Sequence, residues 1–231
     1  ESIFAFAGLY ELGRTDVLTD ISNAVTLPDP EVRMAALGVL GRLRRPASLS
    51  ILSQAVYDPH PAVRAFAAGA LGEFGSTDGI APLTHALSDE NPRVRSVAAS
   101  SLGRLGATET RSVVQPLLRD PDEHVRISAV EALLRLGDAS AVLNAADLAR
   151  HPDPSVRGGA AHALAAATTP NALTVLESLL RDQQPLPRLM AARALGKLQQ
   201  KSLISPLKTG LQDSDPTVRI ASAGSLIHIL S

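Results

Sequence analysis

The chain has 231 residues, enough for one large domain or two small ones, and its formal net charge of −1 gives no basic excess that would indicate a nucleic-acid partner. Aromatic residues make up 3% of the chain and Trp is absent, so Ala, Leu, Val and Ile must build its core. Cysteine is absent as well, which excludes disulfides and thiolate metal ligands, and no apolar run is long enough to predict a membrane-spanning helix.

The first predicted element is a helix over residues 2–12 that ends at Gly13, where a left-handed helix cap is expected. Its apolar side chains are Ile3, Phe4, Phe6, Leu9 and Tyr10. The first residues carry no basic region of the kind that opens a signal peptide. The chain that follows alternates between two kinds of predicted helix, each about 11 residues long.

Residues 63–75 are typical of the second kind of helix. Val63, Ala67 and Leu71 lie on one helical face, and Gly75 stands where the helix would end. The first kind of helix, such as residues 80–87, follows a residue that can act as its N-cap or place an acidic side chain near its first turn. It ends in a turn rich in Asp and Pro, and a proline then begins the next helix without the loss of a hydrogen bond.

The helix pairs repeat with a period of 31 residues. An arginine recurs at this spacing without insertion or deletion, and in all but one case it follows a valine. These seven residues form the arginine ladder: Arg33, Arg64, Arg95, Arg126, Arg157, Arg188 and Arg219. Because one helix pair cannot bury both of its faces, the period predicts a stack of pairs in which each completes the core of its neighbours.

Residues 89–103 carry a motif of the form Asp-x-x-Pro-x-Val-Arg-x-x-Ala-Ala-x-x-Leu-Gly. In this motif the chain resembles the HEAT-repeat family, in particular its short bacterial and phycobilisome-lyase-like form, and the resemblance covers residues 2–231. Pro82 and Pro206 match a proline that the family often carries near the start of its first helix. The resemblance implies an all-α fold, an α-solenoid that is a right-handed superhelix of HEAT-type helical hairpins with about seven and a half repeats.

Two repeats depart from the motif. The fifth has Gly158 and Gly159 at the start of its second helix, and the sixth has the segment 183–187 before its arginine. We expect looser packing or a local change of superhelical curvature at these two places.

No linker and no shift in composition interrupts the chain, so we predict a single HEAT-repeat solenoid domain over residues 1–231. The helix over residues 2–12 has no first-helix partner, and neither end shows the polar cap that terminal repeats carry. We therefore predict a fragment of a longer array or of a larger protein. The alternative is end-to-end self-association, in which the open end packs on another copy through Phe4, Phe6 and Tyr10.

The motifs of enzymes and of metal sites are missing. The nearest approach to a phosphate-binding loop, at residues 196–198, lacks the first glycine of that motif. No two of the six histidines have the i, i+4 spacing of helical metal ligands, and no Gly-x-Ser-x-Gly elbow marks a nucleophile. We predict a protein that is not an enzyme, with no catalytic residue, no cofactor and no metal.

The arginine ladder allows two interpretations. It could form a basic stripe for phosphates or acidic peptides, or each arginine could pair with a turn carboxylate or with backbone carbonyls, in its own repeat or the next. We favour the structural interpretation, because a residue that recurs in every repeat serves what the repeats share, namely the fold.

We expect function at positions that vary between repeats on the second helix, because the family resemblance implies that this helix lines the concave face. Two neighbouring registers there are rich in charge, although a solvated helix face is the alternative explanation. The candidate partner-binding residues are Arg42, Glu73, Arg104, Glu131, Arg135, His162, Arg193 and Lys197. They predict a protein-interaction scaffold or adaptor whose groove holds an acidic or phosphorylated segment of a partner protein.

Two other functions stay open at this point. A nucleic-acid-binding HEAT-like protein is disfavoured by the net charge and by the absence of Trp. A bilin-lyase-like or chaperone-like role is suggested by the family resemblance alone. The lack of a signal sequence, of cysteine and of a glycosylation site predicts a cytoplasmic protein.

Overall fold

The computed structural model describes residues 17–231, and the regular secondary structure in this range is entirely helical. The predicted helix over residues 2–12, with Phe4, Phe6 and Tyr10, lies outside the described residues. The chain divides into two compact units, Glu1–Val114 and Gln115–Ser231. Within each unit the helices alternate between the two predicted kinds, which gives the all-α solenoid expected from the period.

The described part of the first unit contains seven helices, numbered here so that the second helix of each pair takes an even number. They are α1 (Val17–Ala24), α2 (Pro30–Leu43), α3 (Pro46–Ala55), α4 (Pro61–Phe74), α5 (Ile80–Ala86), α6 (Pro92–Leu105) and α7 (Arg111–Val114). Short 3₁₀ turns at Thr77–Gly79 and Thr108–Thr110 precede α5 and α7. The even-numbered helices pack side by side in chain order, α2 on α4 and α4 on α6.

The second unit follows the same plan. After a 3₁₀ segment at Gln115–Arg119 come α8 (Glu123–Arg135), α9 (Ala141–Leu148), α10 (Pro154–Leu164), α11 (Pro170–Leu179), α12 (Pro185–Lys197), α13 (Ile204–Gly210) and α14 (Pro216–Leu230). A 3₁₀ turn at Lys201–Leu203 precedes α13. Helices α8, α10, α12 and α14 again pack side by side in chain order, and the odd-numbered helices pack against them.

The even-numbered helices begin at strong capping signals. An extended N-cap residue precedes each of them, and in all but α8 a proline occupies the first turn. The Asp29 carboxylate accepts a hydrogen bond from the Glu31 amide at 2.8 Å, and Asp153 does the same for Ser155 at 2.7 Å. These helices reach 11 to 15 residues, whereas the odd-numbered ones have 4 to 10. The uniform length predicted from the sequence is therefore wrong, because 3₁₀ turns replace part of the odd-numbered helices.

Positive φ angles mark the ends of several even-numbered helices. Gly75 and Gly106 cap α4 and α6 with φ of 80° and 67°, as their sequence positions predict. Gly137 has φ of 84° and follows Leu136, which is the cap residue of α8. Gly13 lies outside the described residues.

Small residues at the contacts let the helices of a pair approach closely. In six successive repeats an alanine on the even-numbered helix is 0% exposed, namely Ala36, Ala67, Ala98, Ala129, Ala160 and Ala191. Ser222 takes this position in α14 and lies against Gly210. Among the described residues its Oγ has no hydrogen-bond partner, although it is fully buried.

The departure at Gly158 and Gly159 is closely packed. A Cβ on Gly159 would lie 2.5 Å from Ile127 Cδ1, and one on Gly158 would lie 3.4 Å from both Leu186 Cγ and Met190 Cγ. The neighbouring helices therefore fill the space that the missing side chains leave. The expectation of looser packing at these two glycines is wrong.

Candidate partner-binding groove

Each residue of the arginine ladder reaches back to the turn before its own helix. Arg64 Nη1, for example, donates to the backbone carbonyls of Asp58 and Pro59 at 3.0 and 3.2 Å. The other six arginines make the same pair of bonds, to the carbonyls six and five residues earlier. These bonds satisfy backbone carbonyls that accept no hydrogen bond within the turn itself.

Four ladder arginines also make a bidentate ion pair with an aspartate in the turn of the following repeat. The pairs are Arg33 with Asp58, Arg64 with Asp89, Arg157 with Asp182, and Arg188 with Asp213, at 2.7 to 2.8 Å. Each aspartate in turn accepts the backbone N–H two residues further on. One arginine thereby connects two successive turns.

The ion pairs shift the acidity of the turn carboxylates. Hydrogen bonds from Arg157 and from Arg188 lower the pKa of Asp182 and of Asp213, respectively, below the ordinary value of 3.8. At Asp89 burial opposes ionisation, but the hydrogen bonds from Arg64 and from the Asn91 amide outweigh it and lower its pKa as well. The guanidinium N–H groups of these arginines face the turns and are already hydrogen-bonded there. This supports the structural interpretation of the ladder.

The ladder changes its chemistry at Arg126. Position 151, where the other turns carry aspartate, is a histidine whose Nδ1 accepts the Asp153 amide at 3.1 Å. Arg126 Nη2 donates instead to Glu123 on its own helix, at 3.2 Å. His151 Nε2 lies 4.0 Å from the same Glu123 carboxylate.

A groove of 890 Å³ opens on the even-numbered helices of the first unit. It lies across α2, α4 and α6, and this volume falls within the range of sites that bind ligands. We call it the first-unit groove, and its lining residues are Met34, Gly38, Gly41, Arg42, Arg44, Ala62, Ala65, Phe66, Gly69, Ala70, Glu73, Arg93 and Val97.

The floor of the first-unit groove is apolar. Phe66 lies 39% exposed on α4, and its Cζ is 3.2 Å from where a Cβ on Gly38 would lie. The ring therefore occupies space that the absence of a side chain at Gly38 leaves. The same register in the two neighbouring helices holds Ala35 and Val97, which are smaller. Phe66 is therefore an aromatic residue on a face where the repeat does not need one for its core.

The rim of the groove is mostly basic. Arg42, Arg44 and Arg93 are exposed there, with Glu73 as the acidic residue of the lining. Arg44 donates from Nη2 to the backbone carbonyl of Glu73 at 3.0 Å. Within residues 17–231, the guanidinium groups of Arg42 and Arg93 make no ion pair and no hydrogen bond, which sets them apart from the arginine ladder.

The structure distributes the predicted site residues between the two units. Arg42 and Glu73 line the first-unit groove. Arg104 lies exposed on α6, where its Nη2 donates to Ser101 Oγ at 2.8 Å, and it is not part of the groove lining.

In the second unit, three predicted residues come together on α8 and α10. Arg135 donates to Glu131 at 2.8 and 3.2 Å, and His162 Nε2 lies 4.0 Å from the same carboxylate. Arg193 and Lys197 lie exposed on α12, and in the described part of the chain neither makes a side-chain hydrogen bond or ion pair. Glu131 therefore neutralises part of the positive charge of the candidate residues in this unit.

Sequence reasoning did not select Arg44, Arg93 or Phe66 as site residues. Arg93 and Phe66 fall in registers that the sequence argument passed over, and the position of Arg44 depends on a left-handed backbone, with φ of 46°. The signal that could have found Phe66 is an aromatic residue at a register where neighbouring repeats carry smaller side chains.

The described residues offer no other obvious chemistry. Among residues 17–231, no three His, Asp or Glu side chains form a cluster that could hold a metal ion. No helix in this range has the length and apolar character needed to cross a membrane.

Comparison with family models confirms the predicted HEAT-repeat family. The model for HEAT repeats matches residues 50–133, 110–188 and 176–229. No significant match was found among curated proteins.

Solved structures share the fold at low sequence identity. The complex of CpcE and CpcF of phycocyanin lyase from Nostoc matches with a TM-score of 0.65 and 22% identity, over 90% of this chain and 93% of that one. The YibA protein of Escherichia coli matches with a TM-score of 0.59 and 16% identity, over 98% of this chain and 97% of that one. An engineered protein matches with a TM-score of 0.50 and 21% identity, over 78% of this chain and 98% of its own. At these identities the likeness shows the fold alone.

Proposed function

Because this chain belongs to the HEAT-repeat family, we propose that it is a protein-binding scaffold that holds a partner on the face lined by its even-numbered helices. The observation that carries the proposal is the first-unit groove, which combines an exposed aromatic floor with a basic rim. Binding would cover the apolar floor and give the rim arginines the acidic partners that they lack within the described chain.

Residue chemistry supports a protein partner. Arginine, methionine and aromatic side chains are enriched at protein interfaces, and Met34, Phe66 and the rim arginines provide all three around one groove. In the second unit we propose that Arg193 and Lys197 on α12, and the cluster of Glu131, Arg135 and His162 on α8 and α10, also contact the partner. Partner binding, then, is the role that we assign to the even-numbered helices.

The test is affinity capture from a lysate of the source organism, with nuclease added, followed by mass spectrometry. A face variant carries Arg42→Glu, Arg93→Glu and Lys197→Glu. A matched control reverses three exposed charges elsewhere, Arg119→Glu, Arg181→Glu and Lys201→Glu. We expect a protein partner that the wild-type chain and the control retain and the face variant loses.

Circular dichroism of all three proteins checks that the substitutions leave the helices intact. A set of captured proteins that is the same for the face variant and the wild-type chain would contradict the proposal. Recovery of nucleic acid without any protein, once nuclease is omitted, would replace it with the nucleic-acid alternative.

The predicted bilin-lyase-like or chaperone-like role remains a prediction with a simple test. If it applies, a bilin added to the protein changes its absorbance spectrum, and the face variant reduces that change. The likeness to the phycocyanin lyase complex concerns the fold, so the catalytic status of this chain depends on such a measurement.

A further inference from the structure

We propose that the first-unit groove binds an acidic peptide segment, with one apolar side chain of the peptide against Phe66 and its carboxylates beside Arg42, Arg44 and Arg93. This inference rests on the proposed scaffold function and goes further, because it names the site and the chemistry of the partner.

The floor selects an apolar side chain. Phe66 is the large exposed group there, and Met34, Val97, Gly38 and Gly69 also line the groove. An aliphatic or aromatic side chain placed here would remove apolar surface of both partners from water, and this favours binding. A wholly polar ligand would not bury this apolar surface favourably.

The rim selects negative charge. Three arginines and one glutamate line the groove, which leaves an excess of two positive charges around it. Arg42 and Arg93 have no ion pair within the described residues, so their N–H groups can donate to the carboxylates of a ligand without the loss of an existing bond. Charge complementarity of this kind favours an acidic ligand.

The same lining favours a peptide over a nucleic acid. A single exposed aromatic side chain offers one stacking surface, whereas single-stranded nucleic acids are usually held on several. Glu73 stands on the rim, where it would repel a phosphate backbone. An acidic peptide can place its apolar residue on the floor and keep its carboxylates away from Glu73.

The second unit lacks the features that define the groove. On α8 and α10 the Glu131 carboxylate already engages Arg135, so part of the basic charge is used. Residues 115–231 contain no Phe, Tyr or Trp, so this unit has no counterpart of Phe66. The inference therefore applies to the first unit.

The experiment measures fluorescence anisotropy with four labelled probes on the full chain. They are a short peptide of Asp and Glu with a central Leu, the same peptide with Ser in place of Leu, a peptide with Lys in place of the acids, and single-stranded oligo(dT). We expect the acidic Leu peptide to bind best and its Ser counterpart to bind about tenfold more weakly. The Lys peptide should not bind.

Two variants test the site. Gly69→Leu fills the floor, and its Cβ would lie at an ordinary 3.5 Å from Val97 Cγ1, so the helix can accept it. The double variant Arg42→Gln with Arg93→Gln removes rim charge. Each should weaken binding of the acidic Leu peptide about tenfold. The matched controls, Gly69→Ala and the pair Arg119→Gln with Arg181→Gln, should bind like the wild-type chain.

Equal binding of the peptide by wild-type and groove variants would overturn the inference, as would equal binding of the acidic and Lys peptides. Tighter binding of oligo(dT), lost in the arginine variant, would assign the groove to nucleic acid. If no peptide binds while the face variant still loses its captured partner, the scaffold function stands and this inference fails. If neither experiment shows binding, both fail.

Discussion

Each bidentate ladder arginine serves two turns at once. Its Nη1 holds the carbonyls of one turn, while Nε and Nη2 hold the aspartate of the next. Arginine suits this task because its donors form a rigid planar fork, and a lysine could not make the same set of bonds. The residue is a clamp between neighbouring repeats, and its energetic weight can be measured at Asp182.

We predict that Asp182→Asn lowers the free energy of unfolding by about 2 kcal/mol at pH 7, since it removes the charged acceptor of Arg157. The amide oxygen of the asparagine can still accept the backbone N–H of Gln184 and cap the turn. The pKa of Asp182 is lower in the folded chain than in the unfolded one. Its contribution is therefore complete above the unfolded pKa of about 3.9 and is lost as the pH falls through the folded pKa.

Denaturant unfolding at several pH values from 7 to below 4 checks this prediction. The wild-type stability should decline below about pH 4, and the decline should be shallower in Asp182→Asn. Asp147→Asn is the control, because that carboxylate is 80% exposed and its contact with Arg150 is a longer 3.4 Å. Parallel pH curves for Asp182→Asn and the wild-type chain would show that the ion pair does not stabilise the fold.

At the scale of helices, the sequence predicts where the even-numbered helices begin better than how long the odd-numbered helices are. Pro at the first turn and Asp at the N-cap place the start of α10 and α14, since both act locally. The 3₁₀ turns before α7 and α13 have no comparable local signal, since Ala107 and Gln200 make no side-chain cap. They depend on how each short helix packs against its neighbours, which periodicity alone does not encode.

Close helix contacts make the effect of a glycine depend on its position. A Cβ on Gly196 would meet Ser225, including its backbone Cα at 3.0 Å, whereas a Cβ on Gly224 would meet nothing within 4 Å. We predict that Gly196→Ala destabilises the chain by about 2 kcal/mol, and that Gly224→Ala stabilises it by up to about 1 kcal/mol. Thermal unfolding of the two variants checks this, and equal shifts in Tm would mean that α12 and α14 are not in such close contact.

At the scale of the whole molecule, the stability of each repeat should depend on its contacts with the repeats next to it. The bonds of the arginine ladder connect a repeat to its neighbour, and a solenoid distributes its stability through such nearest-neighbour contacts. Arg126 has a histidine, His151, where the other turns provide an aspartate. Glu123 and His151 only partly replace the missing carboxylate, so we expect this repeat contact to be weaker than the others.

We predict that His151→Asp raises the free energy of unfolding by about 1 kcal/mol, because it puts a carboxylate at the position that pairs with the ladder elsewhere. Hydrogen exchange should slow in α8 and α10 and stay unchanged in α4. His151→Asn is the control, since it can cap the turn without adding charge. A uniform change in exchange across the chain, or an equal gain in His151→Asn, would contradict the local explanation.

The fold was predictable from the sequence to a greater extent than the site. The period depends on residues that every repeat shares, such as the ladder and the buried alanines, and repetition makes them visible. The first-unit groove depends on Phe66, Gly38 and Gly69, which occur together once and matter only after three helices are placed side by side. Arg42 and Glu73 were predicted because they share a register, whereas Arg44 needed the backbone that the structure provides.

The ladder also bears on how such a chain can change in length. Deleting residues 59–89 would leave Arg33 with Asp58, and Arg95 would keep the carbonyl of Glu90 and find that of Asp58 in place of that of Asp89. The join would contain no half-made ion pair, because donor and acceptor recur with the same 31-residue period. A gene for this chain can therefore lose or duplicate whole repeats in frame at little structural cost, whereas an insertion of another length between an arginine and the aspartate 25 residues further on would disturb that ion pair.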